Sequence, residues 1–403
     1  MGMYVPIGPY HPALKEPITI KIKVEGEKIV DADIELGYNH RGIEKLLESK
    51  LWISVPFISE HICGICSGVH QMTAIMGIER IFDMEDKIPE RARMLRIVGL
   101  ELERIHSHLL WLGVAAHESG FDTIFMYTWR DRESILDLLE MQGGRRVVYS
   151  IGKVGGVRRD VDDKFIRKAK ETMNYIKKRA QEYMKAFEED PTLLARFKNV
   201  ALLPYDVAVN LGAVGPTARA SGIDYDVRWE DRYFGYSEEI GLRVAVRKEG
   251  DALAKALVRL DEIIISAEII ENVLENLPAG PIELKFPPLK TPAPGEAVAR
   301  SEAPRGELIY YYRSDGKRTP YRVKVRTPTM ANILSAGYMV RGGYIADVPV
   351  AFATIDPCIA CMERCIIVDD GKQVRKLDWA KLKHYANKWF NENWHWIKEE
   401  RIY

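Results

Sequence analysis

Two C-x-x-C pairs at opposite ends of the chain constrain this sequence more than any other feature. Cys63 and Cys66 form the first pair, and Cys358 and Cys361 form the second, in a chain of 403 residues. The turn in such a motif brings both sulfurs to one side, so that two thiolates can bind one metal ion. Soft thiolates favour zinc, copper(I), nickel or iron–sulfur centres over magnesium or calcium. If both pairs serve one centre, the two ends of the chain must meet in the fold.

Three kinds of site are compatible with these cysteines. A structural zinc site with four thiolates is one, although zinc ribbons usually close within tens of residues. A thioredoxin-like redox motif is another, although neither pair lies in a βαβ pattern. The third is a metal centre buried between the two ends of a single fold, and we favour this interpretation.

Charge and hydropathy exclude several classes of function. Lys and Arg together number 58, as do Asp and Glu, so the formal net charge is zero. Such a chain has no overall electrostatic field that would attract nucleic acid or an anionic membrane. Because a neutral protein is poorly protected against association with other proteins, we expect it to be part of a complex. The sequence contains no uninterrupted run of 18 apolar residues, so no membrane span is predicted. The N-terminus lacks the pattern of a secretion signal, and we therefore expect a cytoplasmic location. The scarcity of glutamine beside abundant Lys, Arg and Glu favours a thermophilic source.

Hydrophobic periodicity predicts a mainly α fold with small β elements, an α+β class with β-hairpins near both ends. Ile18, Ile20 and Ile22 alternate with polar residues, as in a half-buried strand. Residues 308–312 and 321–325 predict a second hairpin, and long stretches of three- and four-residue spacing predict helices packed around one core. The predicted organisation, all within one intertwined domain, is an N-terminal hairpin region (1–41), a helical core (42–277), a proline-rich connection (278–300), a hairpin with the second cysteine motif (301–370) and a helical tail (371–403).

Two shorter elements are also predicted. Residues 147–149, between two glycine pairs, have the composition of a short strand. A last helix over 378–400 carries Trp389, Trp394 and Trp396. Tryptophans in such a helix are more typical of a core or an interface than of chemistry.

The residues around the cysteines make their pairing specific. The chain contains Glu60-x-x-Cys63-Gly64-x-Cys66 and Asp356-Pro357-Cys358-x-x-Cys361-x-x-Arg364. This pairing resembles the large subunit of NiFe-hydrogenases, in their membrane-bound, energy-converting branch. It is also similar to the hydrogenase-derived subunit of respiratory complex I, which lacks the four cysteines. The resemblance covers nearly the whole chain, with shared blocks at 8–12, 36–42, 101–108, 155–159, 212–219 and 302–308, and it implies the hydrogenase large-subunit fold.

The resemblance implies a role for each residue of the site. Cys63, Cys66, Cys358 and Cys361 would hold a nickel–iron centre, with two of the thiolates bridging the metals. Glu60 would exchange protons with a nickel-bound thiolate, although a carboxylate at this place can also end a helix or form an ion pair. Two further positions match family residues. The resemblance implies that Arg305 overhangs the metals, but it could instead pair with a buried carboxylate. His11 would relay protons, but it could instead cap a turn.

Two histidines are not predicted to belong to the metal site. His106 and His108 lie two residues apart on a predicted helix. Side chains at that spacing face different directions, so the pair should not share a metal ion.

The resemblance also implies an activity and partners. The chain would be the large subunit of a membrane-bound, ferredoxin-linked hydrogenase-type complex that reduces protons to H2 and pumps ions. The alternative is a related complex that reduces sulfane sulfur, polysulfide or quinone without a functional nickel–iron centre, with this chain as a scaffold and coupling subunit. Four cysteines are too few for a bimetallic site and a cluster chain together, so a small subunit with iron–sulfur clusters is implied. Ferredoxin-like and complex I-like hydrophilic subunits and membrane-embedded ion-pumping subunits are implied as well, with this chain peripheral at the cytoplasmic face.

The residues after the second motif leave one question open. In the family, maturation typically removes a C-terminal extension at the position of Arg364, once nickel is in place. Residues 365–403 follow that position here, and Cys365 is a fifth cysteine without an assigned role. Removal of this segment would favour a mature nickel–iron centre, and its retention would favour the alternative.

Overall fold

A computed structural model describes residues 2–12 and 14–362, together with 367–369, 373–375, 384, 387–389 and 391–392. Its helices are α1 (Ile43–Leu47), α2 (Val55–Ser59), α3 (Ser67–Ile81), α4 (Glu90–Glu118), α5 (Asp122–Gly143), α6 (Asp163–Glu189), α7 (Pro191–Phe197), α8 (Tyr205–Asn210), α9 (Gly215–Arg219), α10 (Val227–Asp231), α11 (Ala252–Glu275), α12 (Pro328–Val340), α13 (Val348–Ala353) and α14 (Ile359–Met362). Its strands are β1 (Met3–Ile7), β2 (Thr19–Glu25), β3 (Lys28–Glu35), β4 (Gly152–Lys153), β5 (Gly156–Val157), β6 (Gly295–Ala303), β7 (Gly306–Ser314), β8 (Arg322–Arg326), β9 (Ile367–Asp369) and β10 (Gln373–Arg375).

The long helices α4, α5, α6 and α11 pack against one another and form the main core with α3. Asp162 and Asp251 begin α6 and α11, and each side chain accepts a hydrogen bond from a backbone N–H of the first turn, at 2.8 Å. Such caps satisfy donors that a helix leaves unpaired at its start. The predicted mainly α fold of the α+β class is confirmed, and α4 is buried around most of its circumference.

Two antiparallel sheets of three strands lie near the two ends of the chain. In the first, β2 pairs with both β1 and β3, and in the second, β7 pairs with both β6 and β8. The second sheet is larger than the predicted hairpin, because β6 extends into the segment predicted as a proline-rich connection. The tight turn from β6 to β7, at Ala303–Gly306, places Arg305 at the end of the sheet.

A second core joins the two ends. Ile18, Ile20 and Ile22 of the N-terminal sheet pack in one cluster with α12, α13 and the apolar residues Ile355 and Ile359 beside the second cysteine pair. This cluster packs residues near the second cysteine motif against the N-terminal sheet. The four motif cysteines themselves all belong to the main core.

Two predicted elements have different outcomes. The strand at 147–149 is wrong: this segment makes bends, with Val148 at φ 54° and Ser150 at φ 48°, and the nearby strands are β4 and β5. A left-handed backbone cannot continue a strand. Of the predicted last helix, residues 384, 387–389 and 391–392 are helical, while Trp394 and Trp396 lie outside the described residues. Among the described helices, none has the length and apolarity needed to cross a bilayer.

Candidate metal centre

Both cysteine pairs lie in short turns next to helices. Cys63 and Cys66 occupy the loop between a single 3-10 turn (Glu60–Ile62) and the start of α3. Cys358 directly precedes α14, and Cys361 lies within it. The four side chains are buried, none of them more than 7% exposed. The fold therefore brings both motifs into the interior.

The four thiols converge on the sulfur of Cys63. Its Sγ lies 3.1 Å from the Sγ of Cys358, and it accepts hydrogen bonds from the backbone N–H groups of Ile65 and Cys66 at 3.4 and 3.3 Å. The Cys361 thiol donates to the carbonyl oxygen of Cys358 at 3.0 Å. The sulfurs of two distant motifs thus form one cluster.

Hydrogen bonding within this cluster concentrates negative charge on one sulfur. A hydrogen bond from the Cys358 thiol is the largest of the influences that hold the pKa of Cys63 well below its usual range. Hydrogen bonding within the cluster, together with burial, raises the pKa values of Cys66 and Cys361. Although the neighbouring Cys361 lowers it, the pKa of Cys358 rises overall, because of its hydrogen bond to Cys63 and its burial.

The donor set fits a thiolate-bound metal centre in its chemistry. Four soft ligands face one another away from water, which suits nickel, iron or zinc. The sulfurs of Cys63 and Cys358 lie 3.1 Å apart. Two sulfurs of a tetrahedral metal site lie farther apart, at roughly 3.8 Å, given metal–sulfur bonds of about 2.3 Å. Accordingly, in the described part of the chain no group of three or more His, Cys, Asp or Glu side chains is arranged to hold a metal as it stands. Small rotations of the thiols would accompany metal binding.

Arg41 ties the two cysteine loops together, a role that the sequence did not reveal. Its guanidinium donates to the carbonyl oxygens of His61 and Ile62 at 3.1 and 2.7 Å, and to that of Ala360 at 2.8 Å. The planar fork of arginine suits such a bridge, since it offers several donors in fixed directions. The resemblance included Arg41 in a shared block without assigning it a function.

Arg305 and Asp356 form an ion pair beside the sulfurs. Arg305 donates to the Asp356 carboxylate at 2.7 Å, to the Asp356 carbonyl at 2.8 Å and to the Ser107 hydroxyl at 3.1 Å. Burial would lower the pKa of Arg305, but Asp356 and the nearby thiol sulfurs raise it well above its usual value. Burial also raises the pKa of Asp356, against the effect of Arg305. Arg305 is therefore a fixed cation at the centre, and it is also the partner of a buried carboxylate.

Glu60 is buried next to the first motif and has two hydrogen-bonding partners on its carboxylate. Gln71 donates to Oε2 at 3.0 Å, and the Ser150 hydroxyl donates to Oε1. Burial raises the pKa of Glu60, although the bond from Ser150 opposes this. Such a carboxyl can hold a proton closer to neutrality than a free one.

Glu16 is a second carboxyl that the sequence reasoning missed. It lies in the loop between β1 and β2, and its Oε2 accepts a hydrogen bond at 3.1 Å from the N–H of Ala360, between the cysteines of the second pair. Burial raises its pKa, and the negative charge of Cys63 acts in the same direction. Only the contact with the distant motif identifies this residue, since its surroundings in the sequence contain no metal-ligand pattern.

Two buried histidines lie near the first cysteine motif. His70 on α3 lies 2.8 Å from the Tyr310 hydroxyl, and burial lowers the pKa of His70 to about 4. His106 contacts the Ile65 carbonyl through Nε2 at 2.9 Å, while Arg132 donates to its Nδ1 at 2.8 Å. The His106 imidazole therefore contacts the first cysteine loop, whereas that of His70 contacts β7.

His106 and His108 contact different parts of the molecule, as their spacing predicts. His108 lies 2.9 Å from Glu262 on α11, whereas His106 contacts the first cysteine loop. Burial lowers the pKa of His108 to about 4, although its hydrogen bond to Glu262 opposes this. The pair does not share a site.

An apolar pocket adjoins the ion pair. It has a volume of about 90 Å³, and its walls include Leu110, Trp111 and Phe352 as well as Arg305 and Asp356. Leu14, Lys15 and Glu16, from the loop after β1, complete it. His11, predicted to reach the site, is an exposed residue of that same loop and does not line this pocket.

The sequence is similar to two families of known proteins. The family model described as "Respiratory-chain NADH dehydrogenase, 49 Kd subunit" matches residues 118–294 and 284–364, and the model "Nickel-dependent hydrogenase" matches residues 41–114. The membrane-bound hydrogenase subunit alpha of Pyrococcus furiosus is 38% identical over 96% of this chain and 94% of its own length. The chain belongs to this family of hydrogenase-type and complex I-type large subunits.

Relatives in both branches of the family cover most of the chain. An NADH-quinone oxidoreductase subunit from Desulforamulus reducens is 37% identical over 87% of this chain and 95% of its own length. A chain from the structure of the membrane-bound sulfane sulfur reductase, an archaeal respiratory membrane complex, superposes with a TM-score of 0.85. It is 33% identical and covers 90% of this chain and 98% of that one. As a family member, the protein is an oxidoreductase subunit with the hydrogenase large-subunit fold.

Proposed function

We propose that this chain is the large subunit of a membrane-bound oxidoreductase complex that reduces protons to H2 at a nickel–iron centre. The supporting observation is that all four motif cysteines are buried in one cluster, beside a fixed arginine. The hydrogenase relative that spans nearly the whole chain supports the same reaction.

Each residue has a defined task in this proposal. Cys63, Cys66, Cys358 and Cys361 would hold the metals, which when bound supply the redox chemistry of hydrogen. Arg305 stabilises the negative charge of the thiolates, because a buried guanidinium remains protonated.

Glu60 and Glu16 are the two carboxyls that would hold and release protons. Both have pKa values raised mainly by burial, and such a shift brings a carboxyl closer to working pH. Glu16 contacts the backbone of the second motif, and Glu60 precedes the first. The site can therefore exchange protons from two sides.

The proposed complex includes an electron donor and a membrane module. A small subunit with iron–sulfur clusters would deliver electrons from ferredoxin, together with complex I-like hydrophilic subunits. Ion-pumping membrane subunits would hold this chain at the cytoplasmic face as a peripheral component. Relatives whose names include membrane-bound hydrogenase and NADH-quinone oxidoreductase support this arrangement.

The decisive experiment measures nickel and iron in the natively purified complex. We expect about one nickel per chain, and we expect Cys63→Ser and Cys358→Ser to lose nickel together with H2 production. Cys365→Ser is the matched control, because the same chemical change then falls outside the two C-x-x-C motifs. Nickel in the Cys63→Ser complex at the wild-type level would contradict the proposal.

Sulfane sulfur reduction is the second candidate function. It is favoured by the structural similarity to the sulfane sulfur reductase chain. In that case the wild-type complex would contain no nickel, would produce no H2 and would reduce a sulfane sulfur compound with reduced ferredoxin. Intact-mass measurement of this chain would show in parallel whether residues after Arg364 are retained.

A further inference from the structure

The segment from Val148 to Arg158 contacts the Glu60 carboxylate through Ser150. It contains two residues in the left-handed region, Val148 and Ser150, at φ 54° and 48°. Neither is glycine, and an L residue adopts such a conformation only at an energetic cost. A strained backbone persists only where its surroundings impose it, and it often marks a functional position.

This conformation directs Ser150 at Glu60. Both the hydroxyl and the backbone N–H of Ser150 hydrogen-bond to the Glu60 carboxylate. The other carboxylate oxygen is held by Gln71, whose own oxygen accepts the N–H of Gly152 at 2.8 Å. Glu60 therefore has one oxygen fixed by an amide and one oxygen facing a hydroxyl.

Ser150 also connects to a groove at the surface. Its carbonyl accepts a hydrogen bond at 3.2 Å from Arg158, at the far end of the β4–β5 hairpin. Arg158 lines an open groove of about 310 Å³ together with Phe57 and the ion-paired Lys153 and Glu283. The charged groups that act on the Glu60 carboxyl are His61 and Arg158, and both are exposed.

We propose that Ser150 relays protons between Glu60 and this groove. The Glu60 carboxyl gives its proton to the Ser150 oxygen, while the Ser150 hydroxyl proton passes to a water molecule that enters from the groove past Arg158. Rotation of the hydroxyl then restores the starting arrangement, and the reverse sequence brings a proton in. This inference deepens the proposed function, since it rests on Glu60 being a group that exchanges protons.

The chain offers a matched pair of variants. Ser150→Gly removes the hydroxyl and relieves the left-handed strain, and Val148→Gly relieves the same kind of strain but keeps the hydroxyl. Both should fold, since glycine adopts this backbone readily. Arg158→Gln is a third variant, which removes an exposed cation that acts on Glu60, together with its hydrogen bond to the Ser150 carbonyl, and keeps the Ser150 hydroxyl.

The experiment is infrared difference spectroscopy of the purified complex, which reports the protonated carboxyl band of Glu60 without requiring turnover. Glu60→Gln identifies the band. We expect Ser150→Gly to slow deuterium exchange into this band about tenfold, the equivalent of one lost hydrogen bond. We also expect the band to titrate at higher pH in Ser150→Gly and in Arg158→Gln, because both changes remove an interaction that favours the carboxylate.

Wild-type exchange in Ser150→Gly, or equal slowing in Val148→Gly, would overturn the relay. Loss of H2 production has no bearing on this measurement. A wild-type complex that makes no H2 but shows the expected exchange pattern would refute the proposed reaction and keep the relay. A wild-type complex that makes H2, together with unaltered exchange in Ser150→Gly, would support the proposed reaction and refute the relay.

Discussion

Glu103 shows how a single buried carboxyl is built into the support of the first cysteine loop. It accepts hydrogen bonds from the backbone N–H groups of Gly68 and Val69, at 2.6 and 2.9 Å, and one from the Tyr149 hydroxyl. Helix α3 begins at Ser67, directly after Cys66, so this carboxyl satisfies the donors at its start. Burial nevertheless raises the pKa of Glu103 to about 7.

That shift makes the stability of the protein depend on pH in a predictable direction. The folded pKa is about 7, whereas the ordinary value is 4.5, so the contribution of Glu103 is fully present below pH 4.5 and is lost as pH rises through 7. Between pH 5 and pH 8 the loss is about 3 kcal/mol, at 1.36 kcal/mol for each pKa unit. Glu103→Gln has no carboxyl to titrate, so its stability relative to wild type should improve by about that amount from pH 5 to pH 8.

Chemical denaturation of the full chain at the two pH values measures this difference. Tyr149→Phe is the contrasting variant: it removes a donor that favours the carboxylate, so its stability should fall more steeply with pH than that of wild type. A Glu103→Gln variant with the same stability difference at both pH values would show that Glu103 is ionised in the folded protein at pH 5.

At the scale of the elements, Arg305 is placed by a close approach of two glycines. Gly215, at the start of α9, has φ 65°, and a Cβ built there would lie 2.4 Å from the Cα of Gly306 and 2.5 Å from the carbonyl oxygen of Arg305. The turn between β6 and β7 therefore rests directly on the backbone of α9. The resemblance had grouped both glycines with their neighbours in shared blocks, but only the structure shows that the two blocks touch.

Gly215→Ala should disrupt this contact. The new methyl group would overlap backbone atoms that cannot rotate away, in addition to the cost of a left-handed alanine, so we expect a loss of about 3 kcal/mol or more. The Arg305 turn should shift with it and weaken metal retention. Gly212→Ala is the control, since Gly212 has φ 66° but no heavy atom within 4 Å of its Cβ position, and it should cost only about 1 kcal/mol.

Denaturation midpoints and nickel content of the two variants give the answer. Equal destabilisation by Gly215→Ala and Gly212→Ala would mean that the backbone conformation, rather than the contact with the Arg305 turn, explains the glycine at 215.

At the scale of the whole molecule, the sequence predicted the parts better than their contacts. The helices were predictable because their apolar residues recur at helical spacing, and the convergence of the cysteines followed from ligand chemistry. Strand β6 was missed because it directly follows a proline-rich stretch. The strand predicted at 147–149 was wrong. The apolar composition of this segment suits a strand, whereas the contacts of Tyr149 and Ser150 with buried carboxyls accompany a backbone that turns through the left-handed region.

Glu16 and Arg41 could not be predicted for a different reason. Each acts through a backbone group of the second cysteine motif, at the other end of the chain. No local pattern records a bond to a distant main chain. Such residues become visible only when the fold has brought the two ends together.

Arg41 gives the last prediction, because it tests that meeting of the two ends. It bonds to one carbonyl beside the second cysteine pair and to two carbonyls beside the first. Without this bridge, the ends should separate more often than the rest of the molecule opens. In the metal-free full chain, Arg41→Ala should therefore increase the rate of thiol alkylation at Cys63 and Cys358 by about tenfold, equivalent to about 1.4 kcal/mol.

Arg91→Ala is the matched control, since Arg91 also bonds a backbone carbonyl, that of Pro278, and pairs with Asp160. It should leave the alkylation rates of Cys63 and Cys358 unchanged, as measured by mass spectrometry of the labelled peptides. Accelerated labelling in both variants would indicate general loosening of the fold. Acceleration in Arg41→Ala alone would show that the site is held closed by one side chain that spans both motifs, so that metal binding and the closure of the chain ends stabilise each other.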